Sequence, residues 1–353
     1  MPLVGLGSWQ VTSPEECKDT IRAALDAGYR HIDTAYAYQN EAFIGEGLQE
    51  YFKTGTLKRE DIFVTTKETG KGEPFPLDEN NKPAFQDVLL TDTWKGMEQV
   101  ARSGQAKSIG VSNFNMEQTE RICKIAEILP ATNQVECHLY LQQEKLFQFL
   151  REGITVTAYS PFGSPTRPAH ILKEGAPRVL DDPVAKDLAT KYKRSVGQIL
   201  LRYLVQRGMI VIPKSSNPSR ILENVKVFDF ELSGEDMSKL SAQDKKLRFF
   251  NGNTLAVHSP KTLVAVPSGT KTFSNRLPLL FSFGALEYFI LVDLNDVFAV
   301  PSLSCTSSGS LMRVVKIGSL LHHVLEQVGR HSQDLPCGVL LGYVFFFGLL
   351  LLH

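Results

Sequence analysis

The sequence predicts an α/β fold whose parallel strands close into a barrel. Three observations carry that reading. Seven short apolar strands alternate with segments of 3.6-residue period, the pattern of repeated strand–helix units around a parallel sheet. No G-x-G-x-x-G follows the first strand, so an open doubly wound sheet loses its main support. The charge-rich composition that such a domain needs stops near Phe249. Only 11 of the 105 residues from there on are Asp, Glu, Lys or Arg, against 65 of the first 248.

The elements follow in order. Leu3 to Leu6 is the first strand. Ser13 to Glu16 forms a capping box with Pro14 at the first helical position, and Cys17, Ile21, Ala24 and Leu25 then share one face until Gly28 stops the helix. His31 to Ala35 is the second strand, and Asn40 is placed to cap a helix through Tyr51 and Phe52. Ile62 leads a third strand ending at Lys67. Further pairs are the helix Asp92 to Ser103 with the strand Ser108 to Asn113, Glu117 to Ile128 with Gln134 to Cys137, and Gln143 to Glu152 with Thr155 to Tyr159. Asp182 with Pro183 opens another helix, Met209 to Ile212 is the seventh strand, and Asn217 with Pro218 opens the last helix of the set.

Composition bounds the function. Lys+Arg and Asp+Glu are equal at 38 each in 353 residues, so no global field draws the chain to nucleic acid or to acidic membranes. The five cysteines, Cys17, Cys123, Cys137, Cys305 and Cys337, contain no C-x-x-C pair, which argues against a zinc knuckle or disulfide framework and for a reducing, cytoplasmic setting. No metal site, no nucleic acid and a monomer are expected. The apolar run from Cys337 to Leu352 has 16 residues, just under the roughly 17 to 25 that a spanning helix needs. Membrane contact through it is the less favoured reading beside an unstructured tail.

In such a barrel, functional groups lie at the carboxyl ends of the strands. Those places hold Trp9, Asp33, Tyr38, Lys67, Ser112, Asn113, Gln134, Tyr159 and the stretch Lys214 to Asn224. An ammonium near a phenol lowers its pKa from about 10, so Asp33, Lys67 and Tyr38 make a workable proton donor. A barrel-mouth salt bridge beside a surface tyrosine fits the same placement. The strand-to-helix join at Lys214, Ser215, Ser216 and Asn217, with Arg220 in the helix's first turn, gathers free N–H groups, two cations and hydroxyls around one anion site. A well-capped helix with solvated basic residues is the alternative.

These residues carry a resemblance to the aldo-keto reductases of the aldehyde and aldose reductase type. It runs from MPLVGLGSW through DAGYRHIDTAYAYQNE, VTTK, IGVSNFN, NQVECHLY and TAYSPFGSP to IPKSSNPSRILENVKVFDFEL. The resemblance implies a TIM-type (β/α)8 barrel over residues 1–248 and NADPH-dependent reduction of aldehydes or ketones, a small-molecule carbonyl compound being the partner. Tyr38 would protonate the carbonyl oxygen, supported by Lys67 and Asp33. The nicotinamide would stack on Tyr159, with Ser112, Asn113 and Gln134 on its carboxamide and Ser160 also on the cofactor. Lys214, Ser215, Asn217 and Arg220 would hold the 2′-phosphate, Glu223 and Asn224 the adenine, and Trp9 would line the substrate pocket.

The chain departs from the family twice. After Lys67 it lacks one helix–strand unit, including the strand ending in a histidine within L-I-H-x-P, so a barrel of seven recognisable strands and slow turnover are expected. A non-catalytic NADPH binder or an unstable splice-type variant is the competing reading. Losing the strand exposes the edges of its two neighbours. Ala285 to Leu294 is strand-like, but threading it into a closed sheet through a long connection is disfavoured. Residues 249–353 are unrelated to the family and are expected to form a poorly structured extension.

Overall fold

The computed structural model describes residues 1–68, 89–166, 175–250 and 288–294. The chain divides into compact units 1–299 and 300–353, and every described residue belongs to the first. The Ser-rich stretch at 302–310, the apolar run at 337–352 and the segment after Glu68 lie outside the described residues.

Seven parallel strands appear in the expected order: β1 (Leu6–Gly7), β2 (His31–Asp33), β3 (Phe63–Glu68), β4 (Ala106–Ser112), β5 (Thr132–Glu136), β6 (Thr155–Tyr159) and β7 (Ile210–Val211). The helices are α1 (Pro14–Asp26), α2 (Glu41–Phe52), α3 (Leu90–Arg102), α4 (Met116–Cys123), α5 (Glu144–Leu150), α6 (Pro183–Tyr192), α7 (Val196–Gln206), α8 (Pro218–Val225) and α9 (Gly234–Ser241). Side-chain caps fix several starts. Ser13, Asp182 and Asn217 accept from the backbone N–H three residues on, at 3.0 to 3.1 Å. Asn115 with Gln118 forms a reciprocal box that the sequence reading did not single out.

Asn40 corrects an expectation. Its side chain does not cap α2. It is fully buried and donates to the carbonyls of Ser8 and Val11 at 2.9 and 2.8 Å while accepting from Thr34 Oγ1. An amide offers two donors, and here both close the β1 loop onto β2.

An eighth strand, β8 (Tyr288–Leu294), lies between β3 and β4 and runs antiparallel to both, giving the order β1-β2-β3-β8-β4-β5-β6-β7. Lys67 pairs with Ile290 and Ser112 with Tyr288, whereas Ala106, at the start of β4, pairs with Leu294. The expectation against a plug from Ala285 to Leu294 is therefore overturned. That expectation took no account of strand direction. Phe250 and Tyr288 both lie at the mouth, where the parallel strands end, so a strand re-entering from there enters antiparallel and needs no passage around the barrel. Both open ladders are thereby paired.

Backbone bonds join the two ends of the sheet. Gly5 N–H donates to Val211 at 2.8 Å, Val211 N–H to Leu3 at 2.8 Å, and Gly7 N–H to Pro213 at 3.0 Å. Gly7 is needed there, because a Cβ would come within 2.7 Å of the Ile212 carbonyl oxygen. The main core fills the barrel and the layer under α1, α2 and α6 to α8, with Leu6, Ile32, Val64, Val135 and Ile199 buried. A second cluster of Trp94, Met97, Ala106, Ile109, Val111, Phe114 and Ile122 packs α3 and α4 onto β4.

Candidate active site

The mouth of the barrel opens into a cavity of about 1030 Å³. Every site residue expected from the sequence lines it except Asn217: Trp9, Asp33, Tyr38, Lys67, Ser112, Asn113, Gln134, Tyr159, Ser160, Lys214, Ser215, Arg220, Glu223 and Asn224. Asn217 sits just outside, its Oδ1 occupied by the Arg220 N–H at 3.1 Å as the cap of α8.

A buried ion pair forms the floor. Lys67 Nζ donates to both Asp33 oxygens, at 2.8 and 2.9 Å, and to the Thr34 carbonyl at 2.8 Å. Gln134 Nε2 donates to Asp33 Oδ2 at 2.7 Å. Asp33 and Lys67 are 2% and 3% exposed, so neither charge could persist there without these partners. Burial raises the Asp33 pKa above the ordinary carboxylate range, with the charge of Lys67 and the bonds from Lys67 and Gln134 pulling the other way. Tyr38 closes a short 3₁₀ turn (Tyr36–Tyr38) directly after β2, and Lys67 Nζ lies 5.6 Å from the centre of its ring. Behind Lys67, the Thr66 hydroxyl donates to Glu41 of α2.

Across the mouth, three strand ends present a ring and several amides. Ser112 Oγ donates to the Gln134 carbonyl at 2.8 Å, as does the Asn113 N–H at 2.9 Å. Tyr159 Oη donates to Asn113 Oδ1 at 3.1 Å, which fixes the tilt of the ring. Asn113 and Ser160 hold left-handed backbone, φ 61° and 51°. For serine in particular this is costly, and such strain gathers where a loop is shaped for a ligand.

The third wall is the join of β7 to α8. Lys214, Ser215 and Ser216 lead into the eight-residue helix, whose N-terminus carries the positive end of its dipole. Arg220 adds a second cation within the helix's first turn. Glu223 accepts from Ser195 Oγ at the start of α7, so α7 and α8 are tied together along this wall.

Sequence reasoning missed Phe250, which also lines the cavity. It stands edge-on to Trp9, with ring centres 5.6 Å apart, and to Tyr159 at 5.9 Å. The only signal was an aromatic pair immediately after a charged stretch, and the composition break drew the domain boundary just before it. Ser195 and Gly197, from the α7 start, were missed as well.

Fold and site together define a barrel with a buried ion pair beside a tyrosine at its mouth and a helix start flanked by basic residues along the same cavity. Comparison with known proteins narrows the class. The profile of the Aldo/keto reductase family matches residues 3–85 and 75–245. Aldo-keto reductase family 1 member A1-A of Danio rerio is 40% identical over 288 residues, 70% of this chain and 88% of that protein. Estradiol 17 beta-dehydrogenase 5 of Mus musculus is 37% identical over 300 residues, covering 73% and 93%. The solved aldose reductase of Schistosoma japonicum superposes with a TM-score of 0.65 at 36% identity, over 71% of this chain and 91% of that one. The chain belongs to the aldo/keto reductase family. It is accordingly an oxidoreductase acting on carbonyl groups, in a family that generally uses a reduced nicotinamide coenzyme. Among the described residues, no helix is long and apolar enough to cross a membrane.

Proposed function

We propose that this chain reduces aldehydes or ketones to alcohols with NADPH, and that Tyr38 is the proton donor. One observation carries the reading: a buried ammonium, locked on two carboxylate oxygens, stands against the ring of a tyrosine on the floor of a large cavity. The donor set around that cavity fits the coenzyme. Ser112, Asn113 and Gln134 surround the place for a carboxamide, and Tyr159 offers a ring of fixed tilt. Lys214, Ser215 and Arg220 at the α8 N-terminus suit a phosphate on the ribose, which favours NADPH over NADH. Glu223 and Asn224 border the place for the adenine.

When bound, the reduced nicotinamide supplies the hydride. The chain's own residues manage the proton. As negative charge develops on the carbonyl oxygen, the Tyr38 phenol gives up its proton to it, and the adjacent Lys67 charge stabilises the phenolate left behind. Asp33 holds Lys67 in place and, with Gln134, supplies the acceptors and donors that make its burial tolerable. Trp9 walls the substrate side. The absent L-I-H-x-P strand takes with it a donor that would orient the carbonyl. Loss of one such donor costs about 2.7 to 4 kcal/mol of activation free energy, so turnover is slow. A cytoplasmic monomer follows from the same reading.

The test is NADPH consumption with a reactive aromatic aldehyde. Tyr38→Phe should lower kcat by roughly 10²- to 10⁴-fold while leaving NADPH affinity intact. Equal rates for the two proteins would remove the proton-donor assignment. Binding of NADPH with no turnover in the parent chain would favour the non-catalytic reading.

A further inference from the structure

A second buried carboxylate stands beside the site, with no part in the reduction. Glu136 ends β5, in register with Tyr159, and is fully buried. Its Oε1 accepts the Phe249 N–H at 2.7 Å and lies 3.0 Å from His138 Nε2. Its Oε2 accepts the Phe250 N–H at 3.2 Å and lies 3.7 Å from the Arg248 guanidinium. A buried carboxylate must be satisfied by hydrogen bonds, and bonds to an ionised acceptor are among the strong ones. Here they come from two consecutive backbone amides that lie 113 and 114 residues downstream.

The clamp aims the two aromatic rings in different directions. Phe249 lies over His138, ring centres 4.8 Å apart. It fits beneath Gly163, where φ is +69° and a Cβ would come within 2.7 Å of the ring. Phe250 turns into the cavity, against Trp9 and Tyr159. With Phe249 seated and both amides held, Phe250 has little freedom to leave.

We infer that Glu136 is a positioning residue that clamps the chain at Phe249 and Phe250, so that Phe250 forms a specificity-determining wall on the substrate side of the cavity. The inference rests on the carbonyl-reductase reading above. It assigns Glu136 to the pocket rather than to the barrel alone, and it makes the pocket depend on residues at the very edge of the family-like sequence.

Two variants of the full chain test it. Glu136→Gln places an amide NH₂ where one carboxylate oxygen now accepts, so one of the two backbone N–H groups faces another donor. The KM for an aromatic aldehyde should rise about tenfold, with kcat and the NADPH dissociation constant within about twofold of the parent. Phe250→Ala leaves the clamp in place and should produce the same KM-only change. The double variant should be no worse than Phe250→Ala, because the two residues act through one contact. Acrylamide quenching gives a readout that needs no turnover. Phe250 covers Trp9, and Trp94, the second of the two tryptophans, is fully buried, so both single variants should make Trp9 easier to quench. A parent chain that never oxidises NADPH would refute the functional reading, while quenching would still judge the clamp. Unchanged quenching in Glu136→Gln, a fall in kcat alone, or additive losses in the double variant would overturn the inference.

Discussion

β4 has two neighbours of opposite kind. On one side Val111 and Ser112 pair in parallel with Asn133 and Gln134 of β5, the next repeat along the chain. On the other, β4 pairs antiparallel with β8 from Ala106 and then from Ser108 through Ser112, and β8 starts 176 residues beyond the end of β4. The parallel side follows the rhythm of strand, helix, strand. The antiparallel side obeys only hydrogen-bond demand: two bare strand edges and a segment arriving at the mouth. A barrel that loses a stave can thus be mended from outside its own repeat, provided that the replacement runs in reverse.

Substitutions can break this contrast, beginning with the most damaging. Leu291 pairs with both Thr66 and Ile109, so proline there removes a ladder donor from a central strand. Leu291→Pro should be the most destabilising of these changes. A melting temperature equal to the parent's would show that the gap between β3 and β4 does not need filling. Gly110 probes the other flank. A Cβ on it would meet the Thr132 carbonyl oxygen at 2.7 Å and its methyl at 2.9 Å. Gly110→Ala should therefore strain the β4–β5 pairing by about 1 to 3 kcal/mol, measured by urea unfolding. A loss as large as that of Leu291→Pro would mean that the parallel flank carries the greater share.

A third effect concerns pH. His31 of β2 is fully buried, with Nε2 3.0 Å from Thr65 Oγ1. Burial pushes its pKa down to about 3. The unfolded chain binds that proton near pH 6.5, so between about 6.5 and 3 unfolding takes up a proton and stability falls as the pH falls. His31→Leu should lose less stability than the parent between pH 7 and pH 5. Parallel pH dependences in the two proteins would place the buried imidazole's titration elsewhere.

Legibility in the sequence followed distance along the chain. The seven parallel strands and the caps at Ser13, Asp182 and Asn217 depend on neighbours within a few residues, and those were readable. The contact of Lys67 with Asp33 joins residues 34 apart, yet it too was readable, because adjacent strand ends in a barrel converge on the same mouth. β8 and the Glu136 clamp were not. Both are partnerships across more than a hundred residues, and the pattern of β8 says strand without saying which way it runs. Asn40 misled for a different reason: an asparagine before a helix can cap it or be drawn into a buried amide network, and only the fold decides.

Lys67, Asp33 and Gln134 come from three different strands, β3, β2 and β5, and their mutual bonds cross the hollow of the cylinder. Removing any one would strand a charge or an amide in the interior, which is expensive whether or not a carbonyl is ever reduced. The trio is therefore an internal tie-beam, whatever part the proposed reduction gives it. A descendant of this chain released from catalysis would still be obliged by its own folding to inherit all three.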